Sequence, residues 1–175
     1  MANREALREL QVRLTRRLQA ARVDDLTVSW LALQAGGTRY LFPLAQSGEV
    51  APLPVLQAVP HVKPWFLGVA NLRGALYGVI DLASFIGCDE AARPSLSEAH
   101  VITFNPGLAL NCALQVDTLV GLRRRDAFAH SYAPAAGAPP YFGHCLTDLN
   151  GVTWQEVKLA SLAQQPEFLS IGVAS

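Results

Sequence analysis

The sequence predicts an all-β protein assembled from small barrels. The chain breaks into about ten short, apolar, strand-like runs, a number suited to small barrels. Turn signals separate those runs: Gly36-Gly37, Arg73-Gly74, Asn105-Pro106-Gly107 and Asn150-Gly151. No long helical patterns alternate with the strands, so an α/β sheet is not expected.

The one long helical pattern comes first. In residues 3–22, Leu7, Leu10, Leu14 and Leu18 recur on one face, Ala21 continues it, and Asn3 offers a cap. Asp24-Asp25 ends the pattern. Residues 1–25 therefore read as an amphipathic N-terminal helix and 26–170 as the globular domain. From Thr27 the period shortens: Val28, Trp30 and Ala32, then residues 40–44, form a hairpin across Gly36-Gly37. Residues 55–59, between Pro54 and Pro60, are a candidate strand. Residues 67–72 and 75–80 follow as strands joined around Arg73-Gly74, and residues 81–86 form a helical turn or two stopped by Gly87. The polar residues 88–98, with Pro94, read as a linker between lobes at about 26–90 and 99–165, partly intertwined. Strands resume at 101–104 and 108–116. Residues 133–140, rich in Ala, Pro and Gly, form a loop. A last hairpin, 143–149 with 152–159, is expected to turn at Asn150-Gly151 in type I′ geometry, and a short helix runs from Leu159 to Gln165 before Pro166.

An internal repeat supports two lobes of one plan. NLRGALYGVIDLASF (71–85) aligns without a gap with DLNGVTWQEVKLASL (148–162), and five of fifteen positions are identical. Composition alone gives about one such identity. A weaker echo pairs Gly37 with Gly107. Each lobe is then expected to end in a strand, a tight turn, a strand and a short helix.

Composition narrows the function. The 175 residues are 51% hydrophobic and 16% charged, which excludes a disordered chain and hints at apolar surface meant for partners. No run reaches the ~18 apolar residues of a membrane span, and the Arg- and Glu-interrupted start is unlike a secretory signal. Three scattered cysteines (Cys88, Cys112, Cys145) fit reduced thiols in a cytoplasmic protein. Zero net charge hides a basic tip: residues 3–22 hold six Arg against two Glu, and the body is mildly acidic, which argues against nucleic acid. Phosphate-binding loops and a nucleophile elbow are missing, and no pair of carboxylates is marked out by spacing, so no enzyme is expected. The histidines His61, His100, His130 and His144 are scattered; His144 and Cys145 would face opposite sides of a strand. Neither metal nor cofactor is expected. Arg123-Arg124-Arg125 reads as a solvated loop.

Several blocks together resemble a known family. Val59-Pro60, then Pro64-Trp65-Phe66-Leu67-Gly68-Val69-Ala70-Asn71-Leu72-Arg73-Gly74, then Val79-Ile80-Asp81-Leu82 and Phe85-Ile86-Gly87 resemble the signature of CheW-like domains. Leu114-Gln115-Val116-Asp117-Thr118-Leu119-Val120-Gly121 is similar to a second segment of that family. The resemblance runs from about Thr27 to Leu162. The variant W-F-L-G-V-A-N-L-R-G, with the added N-terminal helix, looks most like the PilI-type members of pilus systems. The resemblance implies two packed, five-stranded, SH3-like barrels. It also implies a non-catalytic adaptor that couples a chemoreceptor's signalling tip to the regulatory domain of a CheA-like histidine kinase, controlling twitching motility. The alternatives are a flagellar coupling protein, a structural pilus component without kinase contact, and a small enzyme using a cleft between the lobes.

The same resemblance nominates partner-binding residues: Asn71, Arg73, Gly74, Val69, Gly68 and Val59. Taken alone, Asn71–Gly74 is a turn with Arg73 in water. Within the family pattern, Arg73 is expected to meet a carboxylate or backbone carbonyls of a partner. Asp81 and Asp117 are expected to be structural, Asp81 as a helix cap and Asp117 bracing a neighbouring turn. Two departures stand out. Gly78 sits where many members carry Pro, and the Arg-rich helix lies outside the family's domain.

Overall fold

The computed structural model describes residues 29–88 and 98–173. The N-terminal helix and nearly all of the expected linker lie outside them. Among the described residues the fold is mostly β: β1 (Ser29–Ala35), β2 (Thr38–Pro43), β3 (Ser47–Pro52), β4 (Phe66–Leu72), β5 (Ala75–Asp81), β6 (His100–Phe104), β7 (Cys112–Val116), β8 (Thr118–Arg124), β9 (Phe128–Tyr132), β10 (Phe142–Asp148) and β11 (Thr153–Val157). Three short helices accompany them: α1 (Leu82–Ile86), α2 (Leu159–Leu162) and α3 (Pro166–Leu169).

The strands make two sheets. The six-stranded sheet has the order β8-β1-β2-β11-β10-β9, and the five-stranded sheet β3-β6-β7-β5-β4. Each sheet takes strands from both halves of the chain. Replacing β8, β1, β2, β11 and β10 by β3, β6, β7, β5 and β4 turns one order into the other. The internal repeat is thus visible as topology. The 71–85 window covers the end of β4, β5 and the start of α1; the 148–162 window covers the end of β10, β11 and α2. The echo at Gly37 and Gly107 covers the hairpins β1–β2 and β6–β7, and each half lends its first hairpin to the other half's sheet. In both sheets a parallel pair makes the join: β5 with β7, and β11 with β2.

Both faces of each sheet are covered, so central strands such as β1 and β7 are apolar almost throughout. Leu31, Leu33 and Phe42 of one sheet meet Ile80, Ile102 and Leu114 of the other in a shared core, joined by Leu82, Leu159, Leu162 and Phe168 from the helices. Trp30, Leu41, Leu146 and Trp154 fill the outer face of the six-stranded sheet. Ala70, Leu72, Val79, Val101 and Ala113 fill that of the five-stranded sheet. The space between the sheets, where an enzyme reading needs a cleft, is therefore packed with side chains.

Five expectations change. Residues 55–59 are not a strand: Pro54 and Pro60 lack N–H groups, and only Gln57 pairs with β4, through Gln57 N to Val69 O at 2.8 Å and the return bond at 2.9 Å. This segment lies along the edge of β4 as β9 lies along β10. The strand expected from Leu108 begins only at Cys112, because Pro106–Leu108 is a 3-10 turn and Ala109 is left-handed. Arg123 and Arg124 end β8 instead of lying in a loop, pairing with Trp30 and Ser29. The last turn is not type I′: positive φ falls on Gly151 and not on Asn150, and Asp148 O accepts from Gly151 N at 3.0 Å. The last helix stops at Leu162, and Pro166 starts a further helical turn at a position that needs no N–H donor.

Candidate functional site

The nominated residues gather on and around the β4–β5 hairpin. Leu72 pairs with Ala75, leaving a two-residue turn. Arg73 (φ 50°) and Gly74 (φ 86°) both take the left-handed region, as a type I′ turn demands. Asn71 Oδ1 accepts from Gly74 N at 2.8 Å and locks the turn. A non-glycine residue is strained there, so Arg73 stands at the turn's apex, its side chain 82% exposed. Arg73 does not merely point to water. Its Nε donates to Glu49 Oε1 on β3 at 2.7 Å. That contact uses one of the guanidinium's five N–H donors. It also ties the hairpin to the opposite edge strand of the five-stranded sheet.

Below the turn, Gly68 is buried with φ 137°, and a Cβ there would run into Gln57 O. Glycine is needed because another backbone approaches. Val69 is half-buried, opposite Gln57 and beside Gly78. Val59 is half-buried against the shared core. Gly78 lies under the Phe66 ring, where a Cβ would be tight. So Asn71, Arg73 and Gly74 form an exposed tip, while Gly68, Val69 and Val59 hold the segment 55–59 against β4.

Two apolar residues that the sequence did not single out complete the surface. Leu76, opposite Asn71, is 62% exposed, and Val55 is 95% exposed. A strand pattern alone hides Leu76, because its exposure depends on where the sheet ends. Nothing local marks Val55. Apolar side chains beside a polar, guanidinium-bearing turn make a surface suited to a protein partner.

Asp81 and Asp117 lie apart from that tip, both buried. Asp81 accepts from Ser84 N at 3.2 Å at the start of α1, which ends at Gly87 (φ 83°). Asp117 Oδ2 accepts from Gly36 N at 2.7 Å in the β1–β2 turn. At the repeat position of Asn71, Asp148 accepts from Asn150 N and Val152 N, both at 2.9 Å, and from Trp154 Nε1 at 3.0 Å. These bonds hold its carboxyl below the usual range, that of Trp154 foremost. The Cys112 thiol offers little chemistry. Burial pushes Cys112 up to about 12, and among the described residues no three His, Cys, Asp or Glu side chains gather to hold a metal.

Comparison with known proteins settles the family. The CheW-like domain model matches residues 29–167. The chain belongs to the CheW-like domain family. A CheW-like domain is a scaffold, not an enzyme, in keeping with a site built of a turn and an apolar patch. Protein PilI of Pseudomonas aeruginosa is 29% identical over 154 residues, covering 86% of this chain and 84% of PilI. A probable chemotaxis protein CheW of Rhizobium etli is 29% identical over 92 residues, 51% of this chain and 59% of that protein. The crystal structure of scaffolding protein TtCheW from Thermoanaerobacter tengcongensis superposes with a TM-score of 0.62 at 16% identity, covering 75% of this chain and 89% of that one, which shows a shared fold. Among the described residues no helix is long and apolar enough to cross a membrane.

Proposed function

We propose that this CheW-like protein is a cytoplasmic adaptor that couples a methyl-accepting chemoreceptor to a CheA-like histidine kinase in a system controlling type IV pili. The observation that carries the reading is the Asn71–Gly74 tip. It places a guanidinium, a side-chain amide and the exposed Leu76 on one hairpin, with the exposed Val55 on the β3–β4 connection that Gln57 ties to β4. In this reading the receptor's signalling tip, a helical hairpin, lies on Val55, Asn71 and Leu76, and Arg73 meets its carboxylates or carbonyls. The kinase's regulatory domain docks elsewhere, against the sheet edges. The two sheets act as SH3-like lobes. No covalent step is needed; coupling consists of holding receptor and kinase together. The length of the match to PilI favours the pilus output. The match to the Rhizobium etli chemotaxis protein keeps a flagellar output as the second reading.

The test is a pull-down of purified wild type and Arg73→Glu against kinase regulatory and receptor signalling fragments from the same organism. The reading predicts that wild type retains both and that Arg73→Glu loses the receptor while keeping its circular dichroism spectrum. A folded wild type that retains neither fragment contradicts it.

A further inference from the structure

The family match ends at residue 167, yet the chain beyond it is built into the fold. Phe168 on α3 is 2% exposed. Its ring stacks between Trp65 (6.3 Å between centroids, 2° between planes) and Phe104 (5.8 Å, 8°), with Phe85 edge-on at 5.2 Å. The chain then runs antiparallel to residues 61–63. Lys63 N donates to Ile171 O at 2.8 Å, Val173 N donates to His61 O at 3.0 Å, and Val62 faces Gly172 across the bridge. His61 sits at φ 57°, a region few non-glycine residues adopt, and the bond from Val173 holds its carbonyl in place.

Residues 61–63 belong to the long connection between β3 and β4. That connection carries Val55, Gln57 and Val59, the outer wall of the candidate surface. Leu53 and Leu56 pack on one face of the five-stranded sheet and Val59 and Val62 on the shared core, but the backbone of residues 53–63 is bonded to the rest of the fold at few points: Leu53 N to Ala99 O at 3.0 Å, the Gln57–Val69 pair, and the C-terminal segment. Between Pro54 and Pro60 it makes no other backbone bonds among the described residues. Burial helps little at its exposed end, since Val55 projects into solvent.

We infer that residues 166–173 form a strap that positions the outer wall of the partner-binding surface, with Phe168 as its anchor and residues 171–173 as its clamp. The mechanism is mechanical continuity. Phe168 fixes the strap to the shared core beside Trp65, the strap fixes residues 61–63, and these fix the span that Gln57 ties to β4. The pairing at Gln57 joins that span to the edge of β4 through two backbone bonds at a single residue, each contributing only about 1 kcal/mol net, so the strap's hold on residues 61–63 adds to the order of the span. The strap itself touches none of the nominated residues through any described hydrogen bond, so it is a positioning element. Its effect on binding rests on the function proposed above; its effect on the wall does not.

Hydrogen exchange on the full chain separates the two. Val173→Pro removes the N–H that bonds His61 while leaving the core intact, since Val173 is exposed. The strap predicts that exchange at the Gln57 and Val69 amides, remote from the substitution, quickens by about fivefold or more, the size of one lost hydrogen bond. Amides of β1 and β2 should be unchanged. Phe168→Ala should act in the same direction and Phe168→Leu should restore much of the protection. Quickened exchange at Lys63 alone, with Gln57 and Val69 unaffected by Val173→Pro, overturns the inference. The same variants are then titrated with the receptor fragment. Lower affinity in step with faster exchange supports the strap and the surface together. Faster exchange with unchanged affinity supports the strap and overturns the assignment of this surface to the receptor.

Discussion

Arg73 combines strain and exposure. A left-handed, non-glycine residue costs about 1–2 kcal/mol, and its exposed pairing with Glu49 returns less than about 1 kcal/mol. A residue kept there against its backbone preference points to selection for what the side chain does. Arg73→Gly should therefore leave the fold between unchanged and roughly 1 kcal/mol more stable, the strain relief being offset by glycine's freedom in the unfolded chain. It should still lose receptor binding. Urea unfolding beside a binding titration checks both halves of that statement. Gly68 is the opposite case. Gly68→Ala places a methyl against Gln57 O at a positive φ, and unfolding should show a loss of at least about 2 kcal/mol. The sequence named both residues through a family pattern, and the structure supplies separate physical reasons for each. It could not name Glu49, Leu76 or Val55, since their part in the surface comes from chain segments meeting in space.

At the scale of elements, the hairpins were the most legible features and the irregular edges the least. Gly36-Gly37 and Arg73-Gly74 carry their turn chemistry in adjacent residues. Residues 55–59 looked like a strand because their side chains suit one; two flanking prolines and a single pairing with β4 decide otherwise. β9 carries no strand signal: it is a short edge strand with only Phe128 buried, so its pattern shows no alternation. The β10–β11 hairpin shows how a side chain replaces backbone turn preference. Asp148 accepts three hydrogen bonds and closes a turn that Asn150-Gly151 alone would make differently. Its carboxyl is held below the usual value, so its stabilising effect is present above the unfolded-state value, near 3.8. That effect fades as pH falls through the lowered, folded-state value. Wild type should be more stable than Asp148→Asn at neutral pH, and the gap should close in acid. Thermal melts of the two proteins from pH 7 to pH 2 check the sign.

Among the described residues, the strands form two sheets that exchange their first hairpins. Each half of the chain supplies β1–β2 or β6–β7 to the other half's sheet, and one core lies between them. Neither half can close its sheet alone. Heat or urea should therefore unfold the two sheets in one transition, with tryptophan fluorescence and far-ultraviolet dichroism changing together. Separately expressed halves, cut within residues 89–97, should fold only when mixed. Two transitions, or a folded isolated half, would show that the sheets are independent. The repeat in the sequence pointed to two similar lobes, but similarity of windows carries no information on which strands pair. That pairing arises from the parallel joins β5–β7 and β2–β11, which connect residues far apart in the chain.

An adaptor must hold two partners at once, and this is the claim most worth testing. The direct measurement is size-exclusion chromatography with light scattering on the full chain mixed with a kinase regulatory fragment and a receptor signalling fragment. One ternary peak is expected for wild type, and a kinase-only binary peak for Arg73→Glu. Mutually exclusive binding, in which receptor displaces kinase from the wild-type protein, would contradict it.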